Sequence, residues 1–273
     1  MEGLQRRSIV ITGASGGMGS AATEEMARRG YRVIMACRSP EKAAAVRSRI
    51  LAAVPDAQLD IEELHLDSFA SIRDFAGRMR KEAPLNGLFN NAGVLPRHYS
   101  LTADGYERTL GVNYLGPWLL SSLMLPLLAE DAGIVNMVSV SAKAISLDRD
   151  LFEKGEKDFH QLRTYARTKL ALIYFSIALA QKSGRRVNMA DPGIVDTDMI
   201  RLDRWFDPLT DIFFRPFCNS PARGARPAVN ALCSDACMQI FSGAGHRDVP
   251  GKLLERRDDI EWLWDETERR VKK

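Results

Sequence analysis

A short apolar run, SIVIT at residues 8–12, leads without a linker into the glycine-rich segment TGASGGMG, and a helix-period segment follows at 17–29. A strand that turns this tightly into a helix needs glycines, which allow the tight turn and let the backbone approach a pyrophosphate closely. The helix N-terminus then supplies amide donors and a positive dipole to phosphates. No Gly-Lys-Ser/Thr sequence follows, so the segment is not a P-loop. It predicts a dinucleotide-binding strand–turn–helix unit.

The spacing of these glycines fits two patterns. Gly13, Gly17 and Gly19 match GxxxGxG, whereas Gly13, Gly16 and Gly19 match GxxGxxG, because residues 16 and 17 are both glycine. The residues of this segment alone leave both patterns open.

Apolar runs of strand length alternate with helix-period segments along most of the chain. The further strands are predicted at 31–36, 59–66, 87–91, 133–139 and 186–190, and the further helices at 40–53, 69–82, 103–128 and 164–182. The strands are rich in Val and Ile without clean alternation, as in sheets covered on both faces. This order predicts an α/β fold, a doubly wound Rossmann-type parallel sheet flanked by helices on both faces. No linker or repeat divides the chain, so we expect one domain over 1–273.

Two connections, 140–163 and 198–221, are longer than usual and follow strand C-termini, where open α/β sheets bind ligands. We expect them to be substrate loops. The second carries five aromatic residues that either cover a lipophilic substrate or pack within the protein: Trp205, Phe206, Phe213, Phe214 and Phe217.

Composition excludes several classes of partner. The net charge is +3 without a basic block, which argues against nucleic acid. The longest apolar segment, 114–129, is too short to span a membrane and contains two prolines, so a buried helix is predicted. We expect no transmembrane segment, no secretion signal and a cytoplasmic location.

The four cysteines form no CxxC pair and have no histidine near them in sequence, so no metal site is expected. Cys233 and Cys237 are four residues apart in a stretch with a helical pattern. They are predicted to be core residues.

The end of the second strand indicates which nicotinamide cofactor is used. The sequence VIMACRSPEK places Cys37 and Arg38 there, with no acid before Glu41. A carboxylate would accept from the ribose 2′-hydroxyl of NAD, whereas an arginine pairs with the 2′-phosphate of NADP. Arg38 therefore predicts that NADP(H) is preferred over NAD(H).

The segment YARTK places Tyr165 and Lys169 one helical turn apart, on the same face of a predicted helix. By itself the pair is either an acid/base couple or an ordinary tyrosine beside a surface lysine. Arg167, between them, is predicted to point to another face and to take no part in chemistry.

Six motifs together resemble the classical short-chain dehydrogenase/reductase family, in order and in approximate spacing along nearly the whole chain. They are TGASGGMG, NNAG at 90–93, VNYLG at 112–116, the serine-bearing strand IVNMVS, YARTK and DPGIVDT at 191–197. ACRSPEKA, LTADGYERTLGVNYLG and SPARGARPAV are similar to the retinol dehydrogenase and protochlorophyllide reductase-like branch. The resemblance favours the GxxxGxG pattern. The cofactor-binding residues it implies are Gly13, Ser15, Gly17, Met18, Gly19, Arg38, Asn91, Ala92, Gly93, Tyr165, Lys169, Pro192, Gly193 and Thr197, while Asn90 has either a cofactor-related or a purely structural role.

The resemblance also implies a catalytic group of Asn113, Ser139, Tyr165 and Lys169. Hydride transfer to a carbonyl leaves an alkoxide that needs a proton, and the resemblance makes Tyr165 its donor. Lys169 is predicted to lower the pKa of Tyr165 and to bind the nicotinamide ribose. Ser139 is expected to orient the substrate oxygen, with Ser141 as a turn or cap residue. Asn113 either holds a water in the proton relay or bonds at a helix kink.

Some features depart from the family pattern. An aspartate usually meets the adenine after the third strand, but an ungapped match places His65 there and Asp67 two residues later, so either remains a candidate. Pro117 in a helical pattern predicts a kink or a helix start. The apolar face of 170–180 fits either a homo-oligomer interface or a core-facing helix.

These patterns together predict an NADP(H)-dependent oxidoreductase that interconverts a carbonyl and a secondary or primary alcohol on a lipophilic small molecule. The alternative is a non-catalytic, NADP-binding regulatory protein on the same fold. Relatives of that kind usually lose the tyrosine or the lysine, and both are present here.

Overall fold

The computed structural model describes residues 7–193 and 219–272, and within them eight strands form one sheet. The strands are β1 (Ser8–Thr12), β2 (Arg32–Cys37), β3 (Gln58–Glu63), β4 (Leu85–Asn90), β5 (Leu128–Met137), β6 (Arg186–Asp191), β7 (Gln239–Ser242) and β8 (Gly245–Asp248). Their order across the sheet is β3-β2-β1-β4-β5-β6-β7-β8. Strands β1 to β7 are parallel, and β8 pairs with β7 antiparallel.

The direction of winding reverses between β1 and β4. The chain runs outward from β1 to β3 at one edge, then crosses to β4 on the other side of β1. Connections on opposite sides of the sheet separate at this point and leave a crevice beyond the carboxyl ends of β1 and β4. The crevice is where a ligand is expected.

Helices cover both faces of the sheet, as predicted. They are α1 (Gly17–Arg28), α2 (Pro40–Ala53), α3 (Phe69–Met79), α4 (Arg108–Leu110), α5 (Gly116–Met124), α6 (Gln161–Ser183), α7 (Pro221–Leu232), α8 (Gly251–Leu254) and α9 (Arg257–Val271). Two buried apolar clusters, one on each face, fill the space between helices and sheet. The doubly wound α/β fold predicted from the sequence is therefore confirmed, with an antiparallel strand β8 at one edge.

The single helix predicted over 103–128 is wrong at its start and in its regularity. Leu101 and Glu107 form an isolated antiparallel bridge, and the helical part begins only at Arg108. Residues Gly111–Leu115 are π-helical before α5 begins at Gly116. Pro117 has no amide hydrogen to give to the carbonyl four residues earlier, which favours this irregularity. Pro117 thus lies at a helix start, one of the two outcomes expected for it.

The apolar face of 170–180 is a core face. Every residue of α6 from Ala166 to Ala180 is buried within the chain. Helix α9 packs on α6, where Trp264 stacks on Phe175 with ring centroids 6.1 Å apart. The interpretation of this face as a subunit interface loses its support, because the chain covers the face itself.

The predicted core positions of Cys233 and Cys237 are wrong. Helix α7 ends at Leu232, so the helical pattern at 228–240 does not continue, and both cysteines are exposed. No helix among the described residues is long and apolar enough to cross a membrane.

The turn after β1 is built by close backbone contacts. Gly13 has a φ of +65°, which an L side chain rarely adopts. Gly19, in the first turn of α1, lies so close to it that an added Cβ would be 2.1 Å from the Gly13 carbonyl oxygen and 2.8 Å from Asn91 Nδ2. At Gly16 the nearest atom would be 3.4 Å away, an ordinary contact. Gly13 and Gly19 are therefore required by packing, whereas Gly16 is not.

This difference predicts unequal costs for two alanine substitutions. We expect Gly19→Ala to lower the free energy of unfolding by about 1–3 kcal/mol, because the new methyl group forces the turn apart. Gly16→Ala, the matched control, is expected to cost less than about 1 kcal/mol, the scale of a change at a helix N-cap. Urea denaturation of both variants measures the difference, and an equal or larger cost at Gly16 contradicts the packing argument.

Candidate active site

A cavity of about 690 Å³ occupies the crevice beyond β1 and β4. The predicted cofactor residues that line it are Gly13, Ser15, Gly17, Met18, Gly19, Arg38, Asn91, Ala92 and Gly93. Sequence reasoning missed other lining residues, among them Thr12, Ser39, Lys42, Leu64, Arg97 and Arg108. These come from separate loops, and only the fold brings them to one edge of the sheet. Its lining includes residues at the end of β2 and residues of the NNAG segment.

Asn91 ties the glycine turn to the end of β4. Its side-chain amide donates to the Thr12 carbonyl at 2.8 Å, and the Thr12 hydroxyl accepts from the amides of Asn91 and Ala92 at 3.0 Å. The Asn91 Oδ1 atom is buried and has no donor among the described residues. Buried polar atoms are usually paired. The unmatched acceptor and the side-chain-free cradle at Gly13 and Gly19 both fit a bound dinucleotide.

The NNAG segment also contains a structural residue. Asn90 is 2 % exposed and its amide donates to Asn136 Oδ1 at 2.8 Å and to Ser121 Oγ at 2.9 Å. It joins β4 to β5 and to α5 below the cavity. Of the two roles left open for Asn90, this geometry favours the structural one.

The end of β2 is positively charged where it meets the cavity. Arg38 is exposed, lines the cavity and makes no ion pair with any residue in the described ranges. Lys42 lines the cavity beside it. Glu41, the first acid after the strand, is absent from the lining and is held by the Ser39 hydroxyl at 2.8 Å. This corner suits an anionic group better than a ribose hydroxyl that needs a carboxylate.

The geometry separates the two candidates for the adenine contact. Asp67 lines the cavity, with Arg108 Nη2 3.5 Å from its carboxylate. His65 is absent from the lining and pairs with Glu63, Nε2 to Oε1, at 2.8 Å. Asp67 is therefore the better placed of the two.

Asn113 lies in the π-helical segment, and both ends of its side chain bond to Val94. Its Oδ1 accepts from the Val94 amide at 2.7 Å and its Nδ2 donates to the Val94 carbonyl at 2.9 Å. π-Helical turns occur often at functional sites, because they redirect a side chain. Here the irregularity aims Asn113 at the segment after β4, and a Cβ on Gly93 would lie 3.4 Å from its Oδ1.

Ser139 lies two residues beyond β5 and connects to Tyr165. It precedes a 3₁₀ turn, Val140–Ala144, and its hydroxyl accepts from the Ser141 amide at 3.3 Å. The Ser141 hydroxyl donates to Ser139 Oγ at 3.0 Å. Ser139 also lies beside the Tyr165 phenol, close enough for its hydroxyl to lower the pKa of that phenol. The predicted assignment, with Ser139 beside the tyrosine and Ser141 in the turn, agrees with this arrangement.

Lys169 is buried, at 3 % exposure, and its ammonium donates to the Met137 carbonyl at 2.7 Å. It lies 5.5 Å from the centre of the Tyr165 ring, and a Cβ on Gly93 would be 3.8 Å from Nζ. Burial lowers the pKa of Lys169 from 10.5 to about 8, and the nearby Asp191 carboxylate opposes that shift. The ordinary alternative, a surface lysine, is thereby excluded.

The predicted lowering of the Tyr165 pKa is wrong for the protein without cofactor. Burial of the phenol raises its pKa to about 12, the hydrogen bond with Ser139 opposes the increase, and the charge of Asp191 adds to it. The ammonium of Lys169 is directed at the Met137 carbonyl instead of the phenol oxygen. Asp191, a buried carboxylate at the end of β6, was missed at the sequence level because only the fold brings it near both side chains.

The remaining predicted residues lie at the end of β6 or outside the described ranges. Asp191 Oδ1 accepts from the Gly193 amide at 3.1 Å, and the Pro192 carbonyl accepts from Asn219 at 3.2 Å. Neither Pro192 nor Gly193 lines the first cavity. Thr197 and the aromatic residues of 198–221 lie outside the described residues.

Arg167 points to a different face from Tyr165 and Lys169, as predicted, but it is buried. Its guanidinium pairs with Asp148 at 2.5 Å. It thereby fastens the long connection of 140–163 to α6, which is a structural role.

A second cavity, of about 560 Å³, lies on the other side of Ser139. Ser139 and Asp191 line it, and it shares no lining residue with the first cavity. Tyr165 lies beside Ser139, which lines the second cavity, whereas Lys169 lies close to Gly93, which lines the first. Neither Tyr165 nor Lys169 lines either cavity itself, and the pair lies between the two cavities through these neighbours.

The burial of Lys169 predicts a pH dependence of stability. Between about pH 8 and pH 10.5 the unfolded chain binds a proton that the native amine has released, so native stability rises with pH in this window. Both proteins are measured without cofactor. We expect the free energy of unfolding of wild type, relative to that of Lys169→Met, to rise by roughly 2 kcal/mol between pH 7 and pH 10. Lys182→Met, at an exposed position on the same helix, is the control. Parallel pH curves for wild type and Lys169→Met contradict the assignment.

Comparison with known proteins shows the family to which the chain belongs. Residues 7–205 match the family model described as short chain dehydrogenase. Human retinol dehydrogenase 11 is 36% identical over 249 residues, covering 88% of this chain and 76% of the relative. Mouse retinol dehydrogenase 14 is 36% identical over 250 residues, covering 85% of this chain and 75% of the relative.

Solved structures share the fold. An uncharacterized protein from Mycobacterium paratuberculosis superposes with a TM-score of 0.79 at 28% identity, covering 98% of this chain and 94% of its own. A short-chain dehydrogenase from Sphingobium yanoikuyae, solved in complex with NADPH, gives a TM-score of 0.65 at 20% identity, with 95% and 93% covered. The matched motifs, fold and relatives agree: the chain belongs to the short-chain dehydrogenase family of oxidoreductases and is similar, within it, to the retinol dehydrogenases.

Proposed function

We propose that this protein is an NADP(H)-dependent oxidoreductase that interconverts a carbonyl and an alcohol on a lipophilic small molecule. The observation that carries the proposal is the position of Tyr165 and Lys169 between the two cavities. Tyr165 lies beside Ser139, which lines the second cavity with its buried apolar residues. Lys169 lies close to Gly93, which lines the first cavity together with Gly13 and Gly19.

The first cavity holds the cofactor in this proposal. The amides at the start of α1 and the turn at Gly13 and Gly19 receive the pyrophosphate. Arg38 pairs with the 2′-phosphate, and Asp67 lies near the adenine. Near Gly93, Lys169 binds the nicotinamide ribose. When bound, the nicotinamide supplies or accepts the hydride.

Tyr165 moves the proton in this proposal. A phenol whose pKa is raised to about 12 stays protonated at neutral pH, which suits it to donate to an alkoxide. Ser139 holds the substrate oxygen beside the phenol. Lys169, kept charged by Asp191 against its burial, stabilises the phenolate that remains after donation. Asn113 is the residue near Lys169 and Gly93 through which a water relays the proton onward.

The alternative, a regulatory protein that binds NADP without catalysis, has less support. It gives no role to the Tyr165 phenol that lies beside the Ser139 hydroxyl. Retinol dehydrogenases, as their name states, act on an alcohol, which is in line with the reaction proposed here.

The first test removes the phenol oxygen. We expect Tyr165→Phe to reduce kcat by about 10²–10⁴-fold, the usual contribution of a positioned acid/base group. NADPH binding, measured by fluorescence titration, is expected to weaken by less than about tenfold, because at most one hydrogen bond is lost.

The control is Tyr31→Phe, at the amino end of β2 and remote from both cavities. It is expected to leave turnover unchanged. A panel of ketones and aldehydes provides the substrates. If Tyr165→Phe keeps full turnover with each accepted compound, the proposed proton transfer is wrong.

The second test concerns cofactor choice. We expect Arg38→Ala to raise the KM for NADPH by about 10–100-fold, because a charged hydrogen-bond partner of the 2′-phosphate is lost. The KM for NADH is expected to change by less than about twofold. Arg47→Ala, an exposed arginine of α2 outside the cavity lining, is the matched control. A wild type that prefers NADH would contradict the role of Arg38.

A further inference from the structure

The second cavity has an apolar interior. Its lining includes Leu170, Ile173 and Ile240, all buried, and Ile145 and Leu253, partly buried. Surfaces of this kind bind hydrocarbon groups and leave orientation to a few polar groups. Among the polar groups of this lining are Ser139 and the buried Asp191.

Three basic side chains also line this cavity: Lys143, Arg247 and Lys252, here called the cation rim. All three are exposed, and none has an ion-pair partner within residues 7–193 and 219–272. A fourth base, Arg256, is neutralised by Asp259, Nε to Oδ2 at 2.7 Å. The only described acid in the lining is Asp191.

The rim residues come from separate parts of the chain. Lys143 belongs to the 3₁₀ turn after Ser139, Arg247 to β8 and Lys252 to α8. Like charges placed around one opening repel each other and lower stability unless an anion compensates them. A flat or convex basic surface would suit a membrane, whereas these bases surround a cavity with buried apolar walls. The arrangement therefore matches a small amphiphile with an anionic end.

We propose that the cation rim binds an anionic head group of the substrate, so that the substrate is an acidic amphiphile with its reacting carbonyl or alcohol at Ser139. The placement of the substrate's carbonyl or alcohol at Ser139 rests on the proposed function. The placement of its acidic group rests on the lining of the second cavity alone. A carboxylate and a phosphate monoester share the required charge. The substrate class is thus narrowed from lipophilic compounds in general to those with an acid remote from the reacting carbon.

Binding of non-reacting probes tests the acidic end separately from catalysis. With NADPH present, isothermal titration calorimetry compares decanoate, decyl phosphate and decanol. We expect one or both acids to bind roughly tenfold more tightly than decanol, the scale of a few partly exposed ion pairs. Raising the salt from about 0.05 to about 0.5 M is expected to reduce that preference by screening.

In the variant Lys143→Gln/Arg247→Gln/Lys252→Gln, the ratio of the affinity for the acids to the affinity for decanol is expected to fall close to one. The matched control is Arg47→Gln/Lys81→Gln/Arg226→Gln, which removes three exposed bases outside both cavities. It is expected to keep the preference. Thermal unfolding checks that both triple variants are folded. Equal affinity of wild type for acids and decanol, or an unchanged preference in the rim variant, overturns the inference.

Turnover and vesicle binding complete the test. The aldehyde substrates are 10-oxodecanoate and its methyl ester. In wild type, kcat/KM for 10-oxodecanoate is expected to be roughly tenfold above that for the methyl ester, and in the rim variant this difference is expected to disappear. Selective decanoate binding without turnover of either aldehyde contradicts the proposed function while supporting the acidic subsite. If the rim variant loses only its association with phosphatidylserine vesicles and still prefers decanoate, the bases serve a membrane surface and the inference is wrong.

Discussion

The contact of Gly19 with the Gly13 carbonyl is the constraint on which the site depends. Because no side chain separates them, α1 begins directly above the end of β1, and Asn91 reaches both from β4. This contact sets the position of the NNAG segment, and through Val94 that of Asn113. A larger residue at 19 would displace the turn that borders the first cavity and the segment that holds Asn113.

The chemistry depends in turn on how buried charges are compensated. Lys169 loses its hydration in the interior. Its charge is compensated by a hydrogen bond to the Met137 carbonyl and by the negative charge of Asp191. Asp191 acts in the opposite sense on Tyr165, since it favours the protonated phenol. The free protein therefore holds a protonated phenol near an amine with a lowered pKa. A cationic ligand near Tyr165 would favour the phenolate, so the acidity of the phenol is coupled to what occupies the first cavity.

Much of the fold was predictable because its signals are local. Runs of Val and Ile, the glycine turn and the helix periods occupy adjacent residues, so β1 to β6 and four of the long helices were found close to their observed bounds. The errors have non-local causes. Strands β7 and β8 have four residues each and are defined by pairing instead of by pattern. The π-helical segment at Asn113 depends on packing around Pro117. Helix α7 ends at Leu232, so Cys233 lies just outside it and is exposed.

The sequence by itself predicted the order of β1 to β6 and of the helices between them, the glycine-rich turn, and the identity of the four residues expected at the reacting centre. Motifs of this kind consist of residue types at fixed spacings, and a single chain displays them. Only the tertiary structure decided that Asp67, and not His65, lines the first cavity, and that α9 packs on the apolar face of α6. It alone placed Asp191 near Tyr165 and grouped three distant bases at one opening. Distances between residues far apart in the chain are set by packing, and pKa values follow from burial and from neighbours that packing brings together.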